Sequence, residues 1–376
     1  MKRTWPLALL TLTLVVGALE RGGFAQVAAV EGRVTALGTS ADEAYAYGTP
    51  AFARLVRESY EGAKDANLVD FDVWLERAYA STRAAKLPGR EQLSLRAALA
   101  TRKAELNTAS GEEERTRLQR DTAAWLHKAI KAMIPRFSLE RGFEFANAVR
   151  LGERQCLLQS VLISGLMQSM DLNAGTAMVW RNDKGVETNL GHVTAVVRLA
   201  NGRALLVDAS DPQPFTRHQG LLLRVRNGSG FAYRFVRARY GEDDEIRSYQ
   251  DVETNRSVAV KDARLLAYDY VRSQFDYYRG ERAPSGFMGK STKAGLAVSE
   301  GYLTRATKLS ADNPLAALVL GHVYREEGQE AKARAQYERA WHLYEAEGHV
   351  PPSAEAALRW AKSAKVPAHT SVDGKP

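Results

Sequence analysis

The stretch "GERQCLLQSVLISGLMQSM", residues 152–170, decides how the rest of the chain is read. It contains Cys156, the single cysteine among 376 residues. Leu157, Leu158, Val161, Leu162 and Leu166 follow it at helical spacing, and Gly152 with the charged pair Glu153 and Arg154 reads as the end of a loop. Cys156 therefore opens a buried helix. At such a position the unpaired N–H groups and the helix dipole favour a thiolate and can also hold an oxyanion. A lone cysteine is also a common small core residue, so the thiol needs partners before it means anything chemically.

Working back from the cysteine, the chain reads as helical. Thr49 and Pro50 give an N-cap followed by proline at the first helical position, and Phe52, Leu55, Val56 and Tyr60 continue the helix. A second helix carries Phe71, Trp74, Leu75 and Ala78, and a third, from about Glu91, carries Leu93, Leu95, Ala98 and Leu106. Ser110 with Glu113 forms a capping-box pattern for a fourth, which runs through Trp125 and Ile130 until Pro135. A short helix holds Phe143, Ala146 and Val149. Further back, "MKRTWPLALLTLTLVVGALERGGFAQ" has Lys2 and Arg3 ahead of an apolar run from Trp5 to Leu19, with small residues offering cleavage after Ala18 or Ala25. That run is short for a membrane span and suits a signal peptide, so a secreted or periplasmic protein with no span after signal removal is expected.

Forward of the cysteine helix the period changes. "NAGTAMVW", "GHVTAVVRLA", "RALLVDAS", "GLLLRVR" and "GFAYRFVRARY" are β-branched, aromatic and near alternating, with Asn201-Gly202 and Asn227-Gly228 marking hairpins. The expected class is α+β: a helical N-terminal half, the cysteine helix packed on an antiparallel meander, then an all-α C-terminal domain. In that last part "AALVLGHVYREEGQEAKARAQYERAWHLYEAEG" places Leu320, Gly321, Tyr324, Ala333, Tyr337 and Ala340 where a tetratricopeptide repeat wants them. "AVSEGYLTRATKLSADNP" resembles the second half of a preceding repeat, and "SAEAALRWAKSAK" would cap the array. The expected organisation is a signal peptide at 1–25, an N-terminal helical region at 26–110 and the cysteine-bearing domain at 111–250. An amphipathic helix with a flexible joint follows at 251–295, then a repeat-like region at 296–365 and a disordered tail at 366–376.

Of seven histidines, His192 alone begins a strand in the cysteine's own domain. His127 lies on a helix as a half-exposed structural residue, His218 sits in a loop, His322, His342 and His349 belong to the repeat region and His369 to the tail. Asp208 ends the next strand. A two-residue turn at Asn201-Gly202 would turn Asp208 away from His192. A three-residue loop, Ala200 to Gly202, sets Asp208 opposite Thr194 and diagonal to His192, with Gly202 at the left-handed position. The same register gathers Val193, Ala195, Val197, Leu199, Leu205 and Val207 on one apolar face and leaves His192, Thr194, Arg198 and Asp208 on the other. A five-residue loop keeps the same parity. Thiol, imidazole and carboxylate in that order fit a nucleophile, its base and the base's orienter.

"RQCLLQSVLISGLMQSMDLNAGTAMV", "GHVTAVVRL" and "ALLVDASDP" together resemble the transglutaminase-like superfamily, a branch of the papain-like cysteine fold, over roughly residues 115 to 245. The resemblance implies Cys156 as nucleophile, His192 as base and Asp208 as orienter. It also implies acyl transfer on an amide of a protein or peptide, with peptidase or amidase chemistry preferred to cross-linking. A non-catalytic scaffold that binds a protein or peptide through the repeat region is the alternative. No cofactor and no metal are expected, since one cysteine and scattered histidines give no ligand spacing, and no glycine loop suits a phosphate. The net charge of +8 is compatible with anionic partners, but nucleic acid is not expected. Arg224, Arg226, Arg234, Arg237 and Arg239 interleave with aromatics as on a solvated sheet face.

Overall fold

A computed structural model describes residues 44–63 and 67–363. The signal-peptide expectation, most of the lead-in and the tail lie outside the described residues. Helices α1 (Pro50–Ala63), α2 (Phe71–Ser81), α3 (Leu95–Thr108) and α4 (Glu112–Met133) precede the cysteine. The first three start at a polar signal: Thr49 ahead of Pro50, Asp70 accepting from the N–H groups of Asp72 and Val73, and Ser94 accepting from Ala97. The capping of α4 differs from expectation. Gly111 is the N-cap, and Glu114 rather than Glu113 reaches back to the N–H and hydroxyl of Ser110, at 2.7 and 2.6 Å. The two-residue strands β1 (Arg136–Phe137) and β2 (Glu153–Arg154) pair in parallel around α5 (Phe145–Leu151). They present α6 (Cys156–Ser169), every residue of which from Cys156 to Gln168 is buried.

The sheet comprises β3 (Ala174–Arg181), β4 (Glu187–Arg198), β5 (Ala204–Val207), β6 (Gly220–Asn227), β7 (Gly230–Tyr240) and β8 (Ile246–Asp251), with β9 (Ser257–Ala259) and β10 (Ala263–Arg264) at its margins. The expected register of the central hairpin is present: Ala195 faces Val207, Val196 faces Leu206 and Val197 faces Leu205, and Gly202 has φ +77° at the loop position that needs it. The simple meander is not. β6 pairs with the far side of β3 rather than with β5, and β6–β7, β7–β8 and β8–β5 pairings close six antiparallel strands into a barrel. Closure removes the edges an open sheet would expose.

Closure also changes the polarity expected of one face. Val196 and Leu206, on the same side of the hairpin as His192 and Thr194, lie inside the barrel with Val179, Leu221, Leu223 and Tyr249. The outward face, Val193, Ala195, Val197, Leu205 and Val207, joins the helices in one continuous core. Both faces are dry, so β3 is buried almost throughout instead of alternating. A one-residue slip would exchange the two faces. Each Val or Leu is worth roughly 1.5–3 kcal/mol when fully buried, so shape-matched packing on both sides fixes the pairing.

Helices α7 (Tyr268–Glu281), α8 (Lys293–Leu309), α9 (Pro314–Glu326), α10 (Glu330–Glu347) and α11 (Pro352–Lys362) follow, each packed on the next, and α10 also lies against β7. Leu320, Gly321, Tyr324, Ala333, Tyr337 and Ala340 are buried between them. A Cβ on Gly321 would stand 2.6 Å from the Tyr337 ring, so α9 and α10 approach as closely as they do because that residue has no side chain. Helix α7 is not the half-exposed helix its pattern suggests: Tyr270, Val271, Phe275, Tyr277 and Tyr278 are all buried. The connection after it is pinned as well, through Phe287 N–H on Ser299 and Thr292 N–H on the Ser285 carbonyl. The ribbon arginines are largely tied to their own fold, Arg224 to the Leu265 carbonyl, Arg226 to Asp262 and Arg234 to Glu253.

Candidate active site

Cys156 is the first residue of α6. Gln155, the N-cap, supplies no side-chain cap, so the first-turn N–H groups have no capping side chain. The thiol is 3% exposed. It lies 3.6 Å from the Gly191 carbonyl oxygen and 4.0 Å from the Tyr278 hydroxyl, and that hydroxyl itself donates to the Gly191 carbonyl. Tyr278 comes from α7 and stacks on Phe143, with ring centroids 5.4 Å apart. The aromatic cover over the sulfur is therefore built from a helix that follows the barrel by some distance in sequence.

His192 follows Gly191, whose carbonyl oxygen meets the Cys156 sulfur. The Nε2 of His192 is 2.5 Å from Asp208 Oδ2. Of the three sequence-predicted residues, His192 and Asp208 are paired directly, and Cys156 is seated on the carbonyl of the residue before His192. Burial alone would favour a neutral His192, but the hydrogen bonds and charges of Asp208 and Cys156 outweigh it and hold the imidazole pKa well above its ordinary value. Asp208 is fully buried. Burial would raise its pKa, and the hydrogen bonds from His192 and His218 overcome this, so the carboxyl stays well below the usual carboxylate range.

Sequence reasoning missed four neighbours. His218, read as a loop residue, places Nε2 2.9 Å from the same Asp208 oxygen, and its ring stands edge-on to that of His192 at 5.2 Å. It reaches the site because residues 208–219 cross from β5 to the far side of β3. Gln159 and Ser210 bind the other carboxylate oxygen: Ser210 N–H donates at 2.8 Å, and Gln159 Nε2 is 3.4 Å from Oδ1 and 2.6 Å from Ser210 Oγ. Gln159 carried a signal, being a polar residue three positions after Cys156 on an apolar helix and hence on the same face. Arg154 in turn holds Gln159 Oε1 at 3.1 Å. Tyr278 is the fourth. His127 is buried rather than half-exposed, its Nε2 3.1 Å from the Asp211 carbonyl oxygen, and with Lys131 it fastens the loop after Asp208.

Folding thus gathers a cluster that linear spacing concealed: ligand-type atoms of His192, Asp208 and His218 lie within 4.8 Å of one another. Two ring nitrogens at 2.5 and 2.9 Å from one oxygen are at hydrogen-bonding distances. Ligands of a tetrahedral ion bound at about 2.0–2.2 Å stand more than about 3 Å apart. The arrangement is that of a carboxylate shared by two imidazoles. The acidic run at 241–245 is likewise engaged by cations: Asp243 and Glu245 pair with Arg203, Glu245 with Arg120 and Asp244 with Arg217.

The fold and site define a helix-wrapped, closed antiparallel barrel with two imidazoles on one buried carboxylate, and a thiol on the carbonyl next to one of them. Comparison of the chain with protein-family models, with curated proteins and with solved structures returns no match.

Proposed function

We propose that the chain is a transglutaminase-like cysteine enzyme that acts on an amide bond of a peptide or protein, with hydrolysis preferred to cross-linking. The observation that supports this reading is the pairing of His192 with a fully buried Asp208, beside a helix-start thiol seated on the adjacent Gly191 carbonyl. His192 takes the thiol proton as the sulfur attacks the amide carbonyl, and the C–S bond forms. The oxyanion that develops is met by the first-turn N–H groups of α6. His192 then passes the proton to the leaving nitrogen as the C–N bond breaks, leaving a thioester and a free amine. Water, deprotonated by His192, attacks the thioester, and carboxylic acid and thiol are regenerated. Asp208 fixes the ring orientation and stabilises the imidazolium, and His218, Ser210 and Gln159 keep Asp208 in place.

The repeat-like helices would offer a protein or peptide surface, and export would place the reaction outside the cytoplasm. A binding scaffold is the second reading, favoured by the seclusion of the sulfur beneath Tyr278. Trapping separates the two. Incubation with an activated peptide ester followed by intact-mass measurement should show one acyl group on Cys156, absent from Cys156→Ser and His192→Asn. Equal acylation of the His192→Asn protein, or none of the wild type over a panel of esters, rejects the enzyme reading in favour of the scaffold.

A further inference from the structure

A cleft of about 460 Å³ lies between the barrel and the helical array. Tyr233 of β7 and Tyr270 of α7 form one wall, their rings 4.8 Å apart, and Leu309 and Leu343 line it too. Glu347, the last residue of α10, is also in the lining. It is 4% exposed, and neither carboxyl oxygen has a hydrogen-bond partner. This is an unfavourable place for an acid: dry, unpaired, and at the negative end of a helix dipole.

We infer that this cleft binds a primary ammonium group carried on an apolar stem, with Glu347 as its counter-ion. The carboxyl accepts from the ammonium N–H groups, Asp312 at the rim adds a second negative charge, the tyrosine faces attract the cation, and the leucines take the stem. Burial and then Asp312 hold the Glu347 pKa above its ordinary value. The charged and titratable groups around it are Asp312, Asp269, Tyr233, Tyr270, Tyr344 and Arg224. Arg224 is held on the Leu265 carbonyl. The inference is independent of Cys156 chemistry.

Calorimetric titration of the full chain at pH 8 with pentylamine hydrochloride, with 1-pentanol and calcium chloride as controls, tests it. Saturable one-to-one binding of pentylamine is expected, with affinity at least tenfold weaker in Glu347→Gln and about threefold weaker in Asp312→Asn. Cys156→Ser should bind as the wild type does. No saturable binding, equal binding of 1-pentanol, binding of calcium in preference to the amine, or unchanged affinity in Glu347→Gln overturns the inference. If Glu347→Gln does not fold, the rim variant decides, and unchanged affinity in Asp312→Asn overturns it.

Discussion

Replacing Asp208 by Asn leaves the shape of the site intact and removes a charge on which two histidines converge. The carboxylate is fully buried and meets His192 at 2.5 Å, His218 at 2.9 Å and the Ser210 N–H at 2.8 Å. The Asn oxygen can keep the Ser210 bond, but the charge-assisted pair is lost. Hydrogen bonds to a charged group are worth about 1.5–3 kcal/mol each, and removing one partner of a buried charge pair costs about 3–5 kcal/mol, so a loss of roughly 3–5 kcal/mol is expected at pH 6. The pH dependence is the sharper signature. Against the opposing effect of burial, hydrogen bonds hold Asp208 below its ordinary pKa and His192 above its own. The Asp208 share of stability is therefore complete above about pH 4 and drains as pH falls below it. The His192 share is complete below about pH 6.5 and is lost as pH rises through its folded value. Urea unfolding of both proteins from pH 3 to 9 should show the gap widest between about pH 4 and 6.5 and narrower on either side. A gap under about 1 kcal/mol, or one that is flat across the range, refutes the shared-carboxylate account.

Further outcomes follow from single contacts. Tyr278→Phe removes the donor on the Gly191 carbonyl, so a loss of about 1–2 kcal/mol by chemical denaturation is expected, and alkylation of Cys156 by iodoacetamide should speed up as its cover loosens. Gly321→Leu forces a side chain into the Tyr337 ring and should cost roughly 1–3 kcal/mol, read as a lowered melting temperature. Gly202→Val, at φ +77°, should cost about 1–2 kcal/mol while leaving the circular dichroism spectrum unchanged.

The hairpin that joins His192 to Asp208 was legible because two independent constraints, face polarity and turn chemistry, select one register, and Val197 does face Leu205. Cys156 was legible from periodicity alone. His218 was not, because its place depends on β6 pairing across β3, a long-range choice that no local pattern marks. Barrel closure was hidden for a related reason. Leu221 and Leu222 face opposite cores, yet both are apolar, so the strand shows a hydrophobic run without saying what lies on each side. The burial of α7 escaped because its aspartate, arginine and tyrosine residues imitate a solvated face. Asp276 and Arg279 are instead paired internally, with Arg279 also on Glu144. Glu347 carries no sequence mark at all: it reads as one more acid at the end of a charged helix.

The central claim is that His192 takes the proton of the Cys156 thiol. The rate of Cys156 alkylation by iodoacetamide, followed by intact mass at pH 6 in the folded wild type and in His192→Asn, tests it most directly. The account predicts a rate at least tenfold lower in the variant, with the two rates converging in urea. Equal rates in the two folded proteins would contradict it.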